Sequence, residues 1–256
     1  MTLEQGAFVL IDYAVYSKDD QKLIDTTIAD KAKEGNIYNE NIKYEPELVI
    51  IGEGLIFKSL EEEIINLSEG DSATIELPPE KAFGKRDPSK IRTVSARELT
   101  RRGIVPKVNE EVEINGQRAV VKSVGGGRVI LDFNHPLAGK TLVYELKIVK
   151  VVKEPAEKVK ELIYRWLKKV INRNEIKVRI TKKTVTITLP HKSLLVENVA
   201  VVRRGIVRDI QKYFPEIEKI VFKEEYELPS KKKKTSQPAE QQQAKVSGQE
   251  DTQKTQ

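Results

Sequence analysis

Cysteine is absent from the 256-residue chain, which excludes disulfides, thiolate metal centres and a cysteine nucleophile. Histidine is limited to His135 and His191, and the Lys/Gln-rich C-terminal stretch holds none, so neither a metal nor a cofactor is expected. Long apolar runs are missing as well: none approaches the roughly 20 residues that a bilayer span requires, and residues 1–6 lack the basic-then-apolar pattern of an export signal. These absences point to a soluble, cytoplasmic protein with no membrane contact. Met and Trp occur once each while 33% of residues are charged, a composition that fits a heat-adapted source.

Charge is what the chain has in quantity, and it is unevenly placed. The net +6 divides into −4 over residues 1–152, +7 over 153–228 and +3 over 229–256. An anionic partner such as a ribosome or nucleic acid would be sought in the C-terminal third, whereas the first 152 residues form a near-neutral module.

Residues 7–16 are β-rich and end in the polar turn 17–22 before Leu23-Ile24-Asp25 resumes, the pattern of a hairpin. Residues 26–46 are polar and aperiodic, which predicts a long surface loop, and 47–51 predict a strand. Ile56, Leu60, Ile64 and Leu67 fall at helical spacing, with Glu61, Glu62 and Glu63 on the face between and Gly70 as the stop. Residues 72–77 predict a further strand closed by Pro78-Pro79.

A second unit is expected from Pro88 to Asp132, with a short helix at 95–102 and strands at 111–114, 118–123 and 128–133. Asn115-Gly116 is a hairpin signal. Gly125-Gly126-Gly127 lacks the Lys-Ser/Thr and helix of a phosphate loop and reads as a turn. The alternating strand 141–152 has no partner inside this unit, so it is expected to pair with the N-terminal strands and to make the unit an insertion in a larger sheet. Beyond Pro155 an amphipathic helix (Val159, Leu162, Ile163, Trp166, Leu167, Val170), strands 177–180 and 184–189, a helix at 194–213 and a strand at 217–222 give an αββαβ order with apolar residues enough for its own core. From Pro229 onward apolar residues almost vanish, the composition of a disordered tail. The fold class is α+β, in four parts: 1–87 with 133–152, 88–132, 153–228 and 229–256.

Four segments carry a resemblance. They are Tyr13 with Leu23-Ile24-Asp25-Thr26-Thr27; Gly52-Glu53-Gly54-Leu55-Ile56-Phe57-Lys58-Ser59-Leu60-Glu61; Lys81-Ala82-Phe83-Gly84-Lys85-Arg86-Asp87; and Asn134-His135-Pro136-Leu137-Ala138-Gly139-Lys140-Thr141-Leu142-Val143-Tyr144-Glu145. Together they resemble the FKBP family of peptidyl-prolyl cis/trans isomerases over residues 6–152, in particular the SlyD-like and archaeal long-type members. The resemblance implies an antiparallel half-barrel sheet wrapped on a short helix, interrupted at 88–132 by an insert-in-flap domain that holds unfolded segments. It implies Tyr13, Asp25, Phe57, Phe83 and Tyr144 as catalytic residues and Ile24, Ile56, Leu60, His135 and Leu137 as substrate-binding ones. Two positions depart from common members of the family: Phe83 replaces a Tyr and so lacks a hydroxyl, and Leu60 replaces a Trp, leaving a smaller aliphatic floor.

Two roles stay open for Asp25, stabilising the twisted carbonyl or orienting Tyr13; His135 is either a turn residue or a pocket residue, and His191 reads as surface. Expected partners are proline-containing unfolded chains. A chaperone that binds without catalysis is the alternative, and for the C-terminal unit the rivals are nucleic-acid docking and a homodimer through its Val159/Leu162/Trp166 face.

Overall fold

A computed structural model describes residues 3–226. The first elements are β1 (Phe8–Ser17), β2 (Leu23–Thr26), α1 (Ala29–Glu34), β3 (Glu47–Ile50), α2 (Lys58–Ile64) and β4 (Ser72–Leu77). There follow β5 (Ile91–Ser95), α3 (Ala96–Arg101), β6 (Glu111–Ile114), β7 (Gln117–Gly125), β8 (Arg128–Asp132) and β9 (Leu142–Val152). The last are α4 (Pro155–Leu167), β10 (Lys177–Thr181), β11 (Thr184–Pro190), α5 (Val199–Tyr213) and β12 (Lys219–Glu225).

Strand β1 is the centre of the first sheet, which runs β2-β1-β9-β4 with β3 also paired to β1. Its ladder with β9 extends from Phe8↔Val152 to Ser17↔Leu142, all antiparallel, with an irregularity after Leu10. Successive side chains of a strand point to opposite faces, and both faces of β1 are covered. Val9, Ile11 and Val15 pack on Leu60 and Ile64 of α2 and on Leu142, Leu146 and Ile148 of β9. Phe8 and Leu10 point the other way, onto Val159, Leu162 and Ile163 of α4. Burial on both sides is why Phe8-Val9-Leu10-Ile11 is an unbroken apolar run rather than an alternating one.

The second face corrects an expectation. The αββαβ part does not enclose a core of its own: Val159, Leu162, Ile163, Val185, Ile187, Ile206 and Ile210 share one cluster with Phe8, Leu10, Ile50 and Val152 of the first sheet. The face proposed for a homodimer is spent there, since Val159 and Leu162 are fully buried. Trp166 covers Gly205 so closely that a Cβ at that glycine would run into its ring, and its indole N–H donates to Asp209 at 2.7 Å. Strands β10, β11 and β12 form the sheet beneath, β10 antiparallel and β12 parallel to β11, with α5 supplying the crossover a parallel pair needs.

Residues 91–132 build a separate four-stranded sheet in the order β5-β8-β7-β6, around Leu99, Ala119, Val121, Val129 and Leu131. Asn115-Gly116 and Gly126-Gly127 both take positive φ, as two-residue hairpin turns require. Strand β5 had no sequence signal: only Val94 of Ile91–Ser95 is even partly buried, so no alternation marks it.

Three local expectations also change. The stretch 26–46 is not all loop, because α1 forms there on a single buried side chain, Ala32, too little for a periodic pattern. Gly70 does not end α2, which stops at Ile64; it sits in the turn into β4 and donates its N–H to the Ile148 carbonyl at 2.8 Å. Glu61 is buried rather than on an exposed acidic face, and its carboxylate accepts from the Gly52 N–H at 3.3 Å. The tail expected to be disordered, 229–256, lies outside the described residues. Among the described residues no helix is long and apolar enough to cross a membrane.

Candidate active site

The inner face of β1 carries Ile11, Tyr13 and Val15 at the two-residue spacing of a strand, and Val15 stands opposite Tyr144 of β9. Asp25 arrives on β2, held to β1 by the pairing of Val15 with Asp25. Across from them, the turn leading into α2 presents Ile56 and Phe57, and Leu60 of α2 rises between. Phe83 projects from the chain after a short 3-10 turn at Pro79–Lys81, and His135 and Leu137 come from the turn joining β8 to β9. Gly139 donates its N–H to the Gly84 carbonyl at 2.8 Å, which ties these last two loops together.

All ten residues named from the sequence line one cavity of about 650 Å³. Its floor is Leu60, 1% exposed, and its walls are aromatic. The Phe57 ring stands edge-on to Phe83 (centroids 5.2 Å apart) and to Tyr144 (6.5 Å), the arrangement that ring quadrupoles favour. Phe83 stacks face to face on the His135 imidazole at 4.2 Å, and Tyr13 and Tyr144 lie 6.3 Å apart. His135 lies both in the turn and at the cavity: its Nδ1 accepts from the Leu137 N–H at 3.2 Å, while its ring forms cavity wall.

Two carboxylates, Asp25 and Glu47, line this largely apolar cavity, and Asp25 is the one bonded to a cavity tyrosine. The Tyr13 hydroxyl donates to Asp25 Oδ2 at 2.9 Å and the Thr26 N–H donates to Oδ1 at 2.9 Å, so both oxygens are held in place. Burial, with the charges of Glu47 and Asp25 adding to it, drives the Tyr13 phenol far above its ordinary value. Tyr144 is pushed up to about 12, first by burial and then by the Asp25 charge. Both tyrosines are hydroxyl donors across the neutral range, and Tyr13 spends its proton on Asp25.

Sequence reasoning missed Glu47, Leu48, Val49 and Leu55, which also line the cavity. Leu55 lies inside the second resembling segment but was not singled out; nothing in the pattern marks Glu47, Leu48 and Val49, because a short strand such as β3 reads the same whether its side chains fill a core or a cleft.

Comparisons with known proteins identify relatives of the chain. The model "FKBP26, IF domain" matches residues 92–137 and the model "FKBP26_C-terminal" matches residues 155–227. The short-type peptidyl-prolyl cis-trans isomerase of Methanocaldococcus jannaschii is 35% identical over 155 residues, 60% of this chain and 96% of that protein. The FKBP-type 16 kDa peptidyl-prolyl cis-trans isomerase of Escherichia coli is 27% identical over 155 residues, 59% of this chain and 94% of that protein. The FKBP-type isomerase SlyD of Helicobacter pylori is 29% identical over 121 residues, 44% of this chain and 63% of that one. The chain belongs to the FKBP-type peptidyl-prolyl cis-trans isomerases and is SlyD-like.

Proposed function

We propose that this cavity accelerates rotation about X-Pro bonds in folding polypeptides, and that the sheet of residues 91–132 holds unfolded segments near it. Rotation meets a barrier of about 18–20 kcal/mol because the amide C–N bond has partial double-bond character, and it takes tens to hundreds of seconds unaided. At the perpendicular midpoint resonance is lost and the carbonyl is less polar than in the planar amide. An apolar enclosure therefore favours the midpoint over the planar ground state, which is the differential binding that catalysis needs.

In this reading the prolyl ring rests on Leu60 between Phe57, Phe83 and Tyr144. The Phe57 N–H, at the start of α2 where backbone donors lack intrahelical acceptors, receives a substrate carbonyl. Asp25 faces the twisted carbonyl carbon, and Tyr13 orients Asp25. The observation that carries the reading is the convergence of all ten side chains on one cavity. Refolding of a proline-limited protein tests it: wild type accelerates the slow phase, and no acceleration at micromolar enzyme removes the catalytic half.

The holding role draws support from apolar side chains left in solvent. Ile91 (40% exposed), Ile130 (37%), Val105 (70%) and Val108 (50%) all belong to the region of the second sheet. Ile91 and Ile130 share the face of that sheet turned away from Val129 and Leu131, a surface suited to extended apolar chains. A chaperone that binds without catalysis would suppress aggregation equally well with Asp25→Ala and show no acceleration as wild type.

A further inference from the structure

One wall of the cavity, beside β1, is built from a segment with little structure of its own. Residues 35–46 form no helix or strand, and β3, which follows, is four residues long and pairs only with β1. Yet Glu47, Leu48 and Val49 of β3, and Leu55 shortly after it, line the cavity. A short edge strand after a long irregular connection needs support from elsewhere to hold a wall in place.

That support comes from the C-terminal unit. Lys43 donates to the Ile171 carbonyl at 2.8 Å and to the Asn172 side chain at 3.0 Å, covering the turn after α4. Tyr164 bonds Glu45 through its hydroxyl, and Arg173 donates to the Pro46 carbonyl at 3.0 Å. Lys168 pairs with Glu47 at 2.7 Å, and Lys212 of α5 pairs with Glu53. Leu48 itself packs against the C-terminal cluster while lining the cavity.

Arg173 is the hub. Its guanidinium reaches Glu161 at 3.0 Å, Glu45 at 3.5 Å and the Pro46 carbonyl, and lies 4.5 Å from the centroid of the Tyr164 ring. Glu161 is buried on α4, so Arg173 connects a fixed anchor in the helix to the backbone immediately before β3. The other ion pairs are more exposed and weaker individually; Arg173 is three-quarters buried and holds a backbone atom, not only a side chain.

We propose that the C-terminal unit is a brace for the cavity, with Arg173 as the positioning residue that sets the β3 wall. The inference rests on the isomerase reading and extends it: this unit, remote from Asp25 and Phe83, fixes how well the cavity fits its substrate.

The test compares full-length wild type, Arg173→Ala, Arg173→Lys, Tyr164→Phe and Lys183→Ala, the last breaking an ion pair with Glu218 that touches none of residues 43–53. Each is assayed on a proline-containing tetrapeptide for KM and kcat, with amide exchange followed at Leu48, Val49 and Ile50. Arg173→Ala raises KM roughly three- to tenfold while kcat changes less than twofold, the signature of a displaced wall. Exchange at the β3 amides quickens, Arg173→Lys recovers part of the loss, and Lys183→Ala leaves all three readings at wild type. Unchanged KM and unchanged β3 exchange in a folded Arg173→Ala overturn the proposal. If Arg173→Ala does not fold, Tyr164→Phe decides in its place, because it deletes only the hydroxyl that holds Glu45. A wild type with no turnover sinks the isomerase reading alone, and β3 exchange then still judges the brace.

Discussion

Asp25 keeps both carboxylate oxygens occupied, one by the Tyr13 hydroxyl and one by the Thr26 N–H, and this separates its two conceivable roles. If Asp25 acts on substrate, losing it costs a charge-assisted contact, whereas losing the Tyr13 hydroxyl costs only one hydrogen bond that orients it. Asp25→Ala is therefore expected to lower kcat/KM about tenfold, the lower end for a charged contact because the side chain is open to solvent, and Tyr13→Phe about two- to fivefold. Equal losses in the two variants, measured on the same peptide, would mean that Asp25 serves Tyr13. The tyrosines also set a pH expectation. Tyr144 is raised from 10.0 to about 12, and a group raised on folding stabilises below its unfolded value and loses that stabilisation as pH climbs through the folded one. Tyrosine ionisation thus leaves kcat/KM flat from about pH 7 to about pH 9. Stability then falls as pH rises from 10.0 to about 12, which thermal melts across that window measure, and Tyr144→Phe removes part of the fall. The ten residues named for this site were legible because they sit in four recognisable segments. Leu48 and Glu47 were not, since their role depends on what lies across from β3, and no local pattern records that.

Elements were legible to the extent that one face of each met solvent. Strand β9 and helix α4 announce themselves by alternation and by a helical stripe, whereas β5, with nearly every side chain exposed, and α1, with one buried alanine, carry no period to find. What fixes β5 is its antiparallel pairing with β8, Ile91 against Asp132, beside a buried polar junction. There the Asn134 amide donates to Asp132 at 2.8 Å and to the Asp87 carbonyl at 2.9 Å, and accepts from the Asp87 N–H at 2.9 Å. Arg86 meets the same Asp132. This junction spans the two chain crossings between the first and second sheets, so Asn134→Ala leaves the Asp87 backbone groups and the buried Asp132 short of partners. The expected cost is about 2 kcal/mol, with a fall of several degrees in Tm. Amide exchange should locate the loosening in residues 86–90 and 132–135 while β10–β12 stay protected. A uniform loss across all three sheets would show instead that the junction is not a local unit.

At the scale of the whole molecule, the misjudged feature was the independence of the C-terminal unit. Counting apolar residues after Pro155 shows that a core can be filled, but not that the filling lies against Phe8 and Leu10. The only trace in the sequence is the unbroken apolar run of β1, which asks for cover on two faces while α2 supplies one. A chain ended after Val152 would bare Phe8, Leu10, Ile50 and Val152, each now 7% exposed or less. Burial of such a side chain is worth about 2 kcal/mol, an upper figure because unfolded chains are not fully extended. The shortened chain is therefore expected to melt well below the full one and to bind a hydrophobic dye. Replacing Phe8 and Leu10 with Thr in the shortened chain should recover much of the loss, since those two side chains would then face water, whereas the same change at Val9 and Ile11 should unfold it. If the shortened chain melts with the full-length protein, the second face of β1 contributes nothing to stability. The shared cluster would then be a contact between units that stand alone, and the brace on β3 would lose its foundation too.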